Sequence, residues 1–294
     1  MPRKPLLFAS ALLFSSCLCA QLSATAYGKQ DMTNFFKTKT YFVLTADEQM
    51  NKEVMAGLKL YWKHTPYDTI SEANMAKHVS DPAHSFMMII KIEVVTKKTD
   101  QYGKVLSTTT DYYHYFGIIN GGKKAIEHFV YQDMVAYCPI NYYMDEKPMY
   151  LCGYRGQSMV YNLHQAIQLV KDKQIKGNSY KMVKQLQDIY NANAGKIKHK
   201  ILLVNRDHLK DITEEEFKAA YPYKVEFCDK AKFDKVYKDK DKSYVIFQPT
   251  VTVNKSIFVF DAETSECLYF GDDMVHLKMK KSDIKDLAKA ISSN

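Results

Sequence analysis

Residues 85–95 read SFMMIIKIEVV, and residues 243–253 read SYVIFQPTVTV. Both stretches begin with serine and an aromatic residue and continue as a long apolar run rich in β-branched side chains. Runs of this kind predict strands that are buried in a sheet. The two stretches lie about 158 residues apart, and the patterns that surround them also correspond. The chain is therefore predicted to hold two similar units.

The residues before the first stretch alternate between strand and helix patterns. Residues 40–44 predict a short buried strand, and Asp47 is placed to cap a following helix. Apolar residues recur in that helix at spacings of three and four, at Met50, Val54 and Leu58. Residues 67–70 predict a second strand, and Ser71 is expected to cap a short helix that leads to the long run. This part of the chain is thus predicted to follow a β-α-β-α-β order.

The second half repeats this order. Residues 201–204 predict a buried strand, and Thr213 with Glu216 forms the pattern of a capping box at the start of a helix. The remaining predicted elements are a short charged helix over 229–238, the long run, a hairpin over 256–270 that turns at 262–265, and a final helix over 282–291. Chance similarity between two ordinary α/β units is the alternative to duplication.

Further elements follow the long run of the first half. Residues 100–103 predict a turn, residues 108–119 a strand, and Asn120-Gly121-Gly122 a second turn into a return strand at 125–131. Two amphipathic helices come next, with apolar stripes over 160–170 and 182–189. The predicted class is therefore α/β with α+β character: two similar sheet-and-helix units with mixed sheets and hairpin edges.

The first twenty residues, MPRKPLLFASALLFSSCLCA, have the pattern of a secretory signal peptide: two cations, an apolar run and small residues up to Ala20. The predicted divisions are a signal peptide over 1–20, a flexible lead-in over 21–38, a first unit with C-terminal helices over 39–195 and a second unit over 196–294. Lipid attachment at Cys17 or Cys19 is disfavoured, because Phe14 stands where a lipobox has leucine. We expect a secreted or periplasmic protein.

The predicted cleavage before Gln21 adds a resemblance. A leader that ends in a small residue followed directly by glutamine resembles those of exported proteins from Bacteroidota-type bacteria. Removing Arg3 and Lys4 lowers the formal charge from +8 to +6, and the remaining lysines are mixed with acidic residues. A solvated mixed-charge surface is expected rather than a nucleic-acid groove, because only Arg155 and Arg206 remain as arginines.

Four cysteines remain after the leader. In an oxidising compartment, pairing of cysteines that follow one another in the sequence predicts one disulfide in each half of the chain, and two other pairings are open. The four candidate disulfide residues are Cys138, Cys152, Cys228 and Cys267.

Chemical motifs were sought and not found. The sequence has no phosphate loop, no dinucleotide fingerprint, no zinc-protease helix, no nucleophile elbow and no EF-hand loop, so we predict no cofactor and no metal. A pair of Cys138 or Cys152 with His114 or His128 is a weak catalytic candidate. Asp261, Asp272 and Asp273 could together offer oxygen ligands to calcium, but acidic hairpin ends are commonly just solvated. No catalytic residue is therefore assigned.

Tyrosines are concentrated in the first half and in the loop that follows it. Tyrosine offers a large contact area at low entropic cost, so exposed tyrosines mark interfaces and sugar platforms. In a strand, alternate residues instead face the core, and only some of the cluster can be exposed. The candidate binding residues are Tyr142, Tyr143, Tyr150 and Tyr154.

The element order of each unit resembles, in outline, the α/β modules of envelope assembly proteins such as the TolB N-terminal domain and CsgG. It also resembles a thioredoxin fold without its active-site cysteines. Element order transfers no functional residue. We expect a non-catalytic binding or assembly protein of the bacterial envelope whose partner is an envelope protein or a glycan. An exported hydrolase with a non-standard active site is the alternative.

Overall fold

The computed structural model of the chain describes residues 10–11, 23–24, 29–122, 134–140, 155–175, 179–209, 211–251, 255–273 and 278–294. These residues form helices and mixed sheets arranged as two similar sheet-and-helix units. The predicted α/β class is confirmed.

The first unit is preceded by three short elements, β1 (Ser10–Ala11), β2 (Ser23–Ala24) and α1 (Lys29–Phe35). It then consists of β3 (Lys39–Val43), α2 (Glu48–Tyr61), β4 (Tyr67–Ile70), α3 (Glu72–His78), β5 (His84–Thr99), β6 (Val105–Asn120), β7 (Met134–Pro139), α4 (Gly156–Lys171) and α5 (Ser179–Asn191).

The second unit opens with a 3₁₀ turn, Ala194–His199, and has another at Arg206–His208. Its regular elements are β8 (Ile201–Asn205), α6 (Glu214–Ala220), β9 (Val225–Cys228), α7 (Lys230–Asp239), β10 (Tyr244–Val251), β11 (Lys255–Asp261), β12 (Cys267–Asp273) and α8 (Lys281–Ser293).

The two sheets have the same strand order. Sheet 1 runs β2-β7-β6-β5-β3-β4, with β1 beside β5, and sheet 2 runs β12-β11-β10-β8-β9. In each sheet the first three strands of the unit are parallel to one another, and the last three form antiparallel pairs. The correspondence between the halves therefore extends to strand pairing, while an origin by duplication stays a prediction.

Helix starts follow the predicted local chemistry. Asp47 accepts a hydrogen bond from the Met50 backbone N–H, and Ser71 caps α3 in the same way. Thr213 and Glu216 form a reciprocal capping box at the start of α6. These contacts satisfy backbone donors that a helix leaves open at its first turn.

The helices α4 and α5 pack between the two sheets. One face of sheet 1 and one face of sheet 2 contribute to the same buried cluster, and the apolar stripes of both helices fill it. Asn191 at the end of α5 exchanges two hydrogen bonds with the backbone of Phe270 on β12. The helices that the sequence assigns to the first unit thus also cover the second.

The remaining faces are covered separately. The outer face of sheet 1 packs on α3, while α6 and α8 cover one face of sheet 2, where Ile284, Leu287 and Ile291 of α8 are buried as predicted. The helix α7 covers the other face of sheet 2 near β8, β9 and β10.

The lead-in differs from its prediction. From Lys29 onward it forms α1 instead of a flexible segment, and Met32 and Phe35 are buried in the cluster that α4 and α5 share. Their spacing of three places both apolar side chains on one helical face. The predicted return strand at 125–131 lies outside the described residues.

Candidate functional site: a projecting hairpin

The strands β5 and β6 form a hairpin that extends past the rest of sheet 1. Each strand is 16 residues long, whereas β3 pairs with β5 only over residues 84–87 and β7 pairs with β6 only over residues 115–119. The short strand β1, which lies within the predicted signal peptide, pairs with β5 at residues 93–94. In the described part of the chain, no third strand pairs with residues 95–99 or 105–110. We call residues 95–110 the arm.

The turn at the end of the arm is built around Asp100. Its Oδ1 accepts hydrogen bonds from the backbone N–H groups of Tyr102 and Lys104, both at 2.9 Å. Gly103 adopts a φ of 81°, a left-handed conformation that glycine takes without strain. The turn therefore holds the Tyr102 side chain out at the tip.

The tip exposes apolar side chains. Tyr102 is 84% exposed, Leu106 59% and Val105 47%, and residues 101–110 are all exposed. Leu106 is the extra residue of a bulge, because Thr99 pairs with Val105 while Lys98 pairs with Ser107. Three large apolar side chains thus lie within five residues of one another on a ribbon that no described element covers.

Closer to the sheet, the same strands are structural. Tyr113 and Tyr115 are buried against the α3 side of sheet 1, and Phe116 is buried on the opposite face. Tyr112 lies under the Lys91 ammonium, 3.8 Å from its ring centroid. The alternation divides this tyrosine cluster between the two faces, as strand geometry requires.

The four tyrosines predicted to bind a partner, Tyr142, Tyr143, Tyr150 and Tyr154, lie outside the described residues, and so do Cys152 and His128. Their assignment stays a prediction.

The disulfide prediction is wrong for the cysteines that the structure describes, because Cys138, Cys228 and Cys267 are all free and buried. Cys228 lies on β9 and Cys267 on β12, at opposite edges of sheet 2. Four strand spacings, or roughly 19 Å, separate the edges, whereas a disulfide needs Cα atoms within about 7 Å.

The buried thiols are also poor nucleophiles. Burial raises the pKa of the Cys138 thiol to about 12, and burial likewise raises the pKa of Cys228 to about 12. Burial raises the pKa of Cys267 as well. Because the thiolate is the reactive form of cysteine, these groups are inert at neutral pH.

A small cavity lies where α4 meets β7 and the hairpin of β10 and β11. Its polar lining includes Arg155, Asn162 and Gln248, and Phe258 and Phe260 form an apolar side. The side-chain carbonyl oxygens of Asn162 and Gln248 are buried and accept no hydrogen bond. The volume of about 20 Å³ fits about one water molecule and is too small for an organic substrate.

A pair of histidines joins the end of α2 to α4. The rings of His64 and His164 lie 4.5 Å apart between centroids, and His64 Nε2 donates a hydrogen bond to the backbone oxygen of His164 at 3.0 Å. Burial lowers the pKa of His64. The pKa of His164 is lowered to about 4, first by burial and then by the nearby His64, Lys63 and Lys171. Both rings are therefore neutral at pH 7.

The acidic residues considered for calcium are already engaged. Asp261 pairs with Lys200 and accepts hydrogen bonds from backbone N–H groups of the hairpin turn. Asp272 accepts a hydrogen bond from the Ser256 hydroxyl. Asp273 pairs with the buried Lys255 at 3.5 Å. Within the described ranges, no group of three or more His, Cys, Asp or Glu side chains is placed to hold a metal ion.

Sequence reasoning located the turn of the arm but missed its projection. The signal was the mismatch in strand length: the β-prone runs around residues 86–95 and 108–119 are about twice as long as the strand predicted at residues 40–44. Where a hairpin is longer than the described strands beside it, the outer edges of its two strands have no described partner strand over part of their length.

Comparison with models of known protein families, with curated protein sequences and with solved structures finds no match to this chain. Among the described helices, none is long and apolar enough to cross a membrane. We therefore infer function from the chain's own residues.

Proposed function

We propose that the chain is an exported, non-catalytic binding or assembly protein of the bacterial envelope, and that the arm is the element that reaches its partner. The partner class is an envelope protein or a glycan. The observation that carries this proposal is the exposed apolar tip of the arm, formed by Tyr102, Val105 and Leu106.

Folding alone gives no reason for the arm. Among the described residues the arm is a two-stranded ribbon without a third strand, and an isolated ribbon of this kind is at best marginally stable in water. The arm buries little of its own apolar surface, and strands that ended with their neighbours would complete sheet 1 equally well. Exposed apolar residues that cost folding stability are a common property of interaction sites.

Three features support the non-catalytic and exported parts of the proposal. The described thiols are protonated and buried, and the cavity between the units has no room for a substrate. The pattern of residues 1–20 is that of a signal peptide. The buried thiols and the small cavity favour binding over the hydrolase alternative, and the signal-peptide pattern supports export.

The test is capture from an envelope extract of the organism that encodes the chain. In an arm-shortened variant, Asn-Gly replaces residues 98–107 between the paired residues Lys97 and Thr108. The matched control is Leu60→Ser, which removes an apolar side chain that is 55% exposed on α2. Retained components are identified by mass spectrometry.

We expect the wild type and Leu60→Ser to retain the same envelope protein or glycan and the arm-shortened variant to lose it. Equal retention by the shortened variant would remove the arm as the binding element. No specific retention by the wild type would overturn the proposed function. Circular dichroism checks that the shortened variant is folded.

A further inference from the structure

The tip of the arm combines apolar and amphipathic side chains. Val105 and Leu106 are aliphatic, and Tyr102 carries a polar hydroxyl on an apolar ring. Tyrosine is enriched at the boundary between lipid headgroups and acyl chains, where one end of the ring is apolar and the other is wet. This composition suits insertion at the surface of a bilayer.

The charge of the arm is positive. Lys97, Lys98 and Lys104 are exposed around the tip. The only acidic residue between positions 95 and 110 is Asp100, whose carboxylate accepts two backbone hydrogen bonds within the turn. The cationic groups therefore face outward, where they complement an anionic surface.

The geometry of the arm also suits contact with a lipid surface. Residues 95–99 extend roughly 17 Å, at about 3.4 Å per residue, past Val94, the last residue of β5 that pairs with a described strand other than β6. A narrow tip at the end of a projecting ribbon reaches a flat surface before the body of the molecule does.

A second copy of the chain is a poorer occupant. Pairing the β5 edges of two arms would bring Lys97 and Lys98 of the two copies close together. Lysines on an open strand edge are a common means of preventing such pairing.

We propose that the tip of the arm docks on an anionic phospholipid bilayer: Tyr102, Val105 and Leu106 enter the headgroup boundary, and the three lysines bind lipid phosphates. This inference rests on the proposed function, because it takes the arm as the binding element. It adds a lipid surface to the protein or glycan expected as partner.

The test uses vesicles of phosphatidylcholine, with or without phosphatidylglycerol, and flotation of the purified protein. We expect binding only to the anionic vesicles, and weaker binding at higher salt. A Lys97→Gln/Lys98→Gln variant should bind roughly 25-fold more weakly, at about fivefold per lysine. The charge-matched control is Lys52→Gln/Lys59→Gln on α2, which should bind like the wild type.

A Tyr102→Trp variant reports insertion directly. The chain has one tryptophan, Trp62, and it is buried, so a new exposed tryptophan at the tip is readily distinguished. Its fluorescence should shift to shorter wavelength on anionic vesicles. The fluorescence of the tryptophan in a Leu60→Trp variant should not shift on the same vesicles.

The outcomes separate this inference from the proposed function. Equal binding to neutral vesicles, unchanged binding by the arm-shortened variant, or no binding at all would overturn the lipid inference. If vesicles are not bound but the arm still determines retention of an envelope protein or glycan, the proposed function stands alone. If retention is also independent of the arm, both are overturned.

Discussion

Acidification is expected to destabilise the protein through the paired histidines at the junction of α2 and α4. Burial lowers the pKa of His164 from its ordinary value of 6.5 to about 4, and burial also lowers the pKa of His64. The positive charges of Lys63 and Lys171 also lower the pKa of His164. Asp172 raises the pKa of His64, but its contribution is the smallest one there. The pair therefore stays neutral in the folded protein under conditions that protonate it in the unfolded chain.

The sign of the effect follows from proton binding. Above pH 6.5 the pair is neutral in both states and contributes no pH dependence. Between pH 6.5 and about 4 the unfolded chain binds protons that the folded protein excludes, so the free energy of unfolding decreases as the pH is lowered. Below the pKa of about 4 for His164, both states hold that proton and the loss stops growing.

The difference between the two pKa values of His164 is worth at most about 3 kcal/mol. His164 is only partly buried, and solvent screening reduces this to about 1–2 kcal/mol. We expect a His164→Phe variant, which keeps a stacked ring but cannot bind a proton, to lose that much less stability between about pH 7 and pH 4.5.

Urea unfolding followed by Trp62 fluorescence measures both stabilities, and NMR titration gives the pKa of His164. His199→Gln is the control, because His199 is exposed, and it should lose as much stability as the wild type. An equal loss in His164→Phe, or an NMR pKa of 6.5 or above for His164, would refute the reasoning.

Three further outcomes are expected. Lys255→Met should destabilise the protein by about 3–5 kcal/mol in urea unfolding. The Asp283 carboxylate lies 2.6 Å from the Lys255 ammonium and loses this buried partner in the variant. Adding Asp283→Leu should restore much of the lost stability. N-terminal analysis of the exported protein should find Gln21 first, and an uncleaved chain would contradict the signal peptide. Without reductant, iodoacetamide should label the thiols of Cys138, Cys228 and Cys267 only after denaturation. Failure to label them after denaturation would indicate disulfides.

The capping residues and amphipathic stripes were predictable because their interactions are local. Asp47, Ser71 and Thr213 each bond a backbone N–H three residues later in the chain, and Ile284, Leu287 and Ile291 face the core at helical spacing. Such contacts depend on a few consecutive residues, so sequence spacing is sufficient evidence for them.

The cysteines show where that reasoning stops. Cys228 and Cys267 belong to the same unit, and their pairing was plausible from their order in the chain. The strand order of sheet 2 places them at opposite edges. An even cysteine count carries no information on that distance.

The sequence by itself determined the class of the fold, the order of most of its elements and their capping, since these follow from side-chain periodicity and short-range hydrogen bonds. It did not predict α1 or β7. Only the tertiary structure decided that α4 and α5 lie between both sheets, that His64 meets His164 across 100 residues of chain, and that the arm projects. Each of these depends on where distant segments pack or stop pairing. In the described part of the chain, β3 and β7 end before β5 and β6 do, and Tyr102 lies exposed at the turn beyond them.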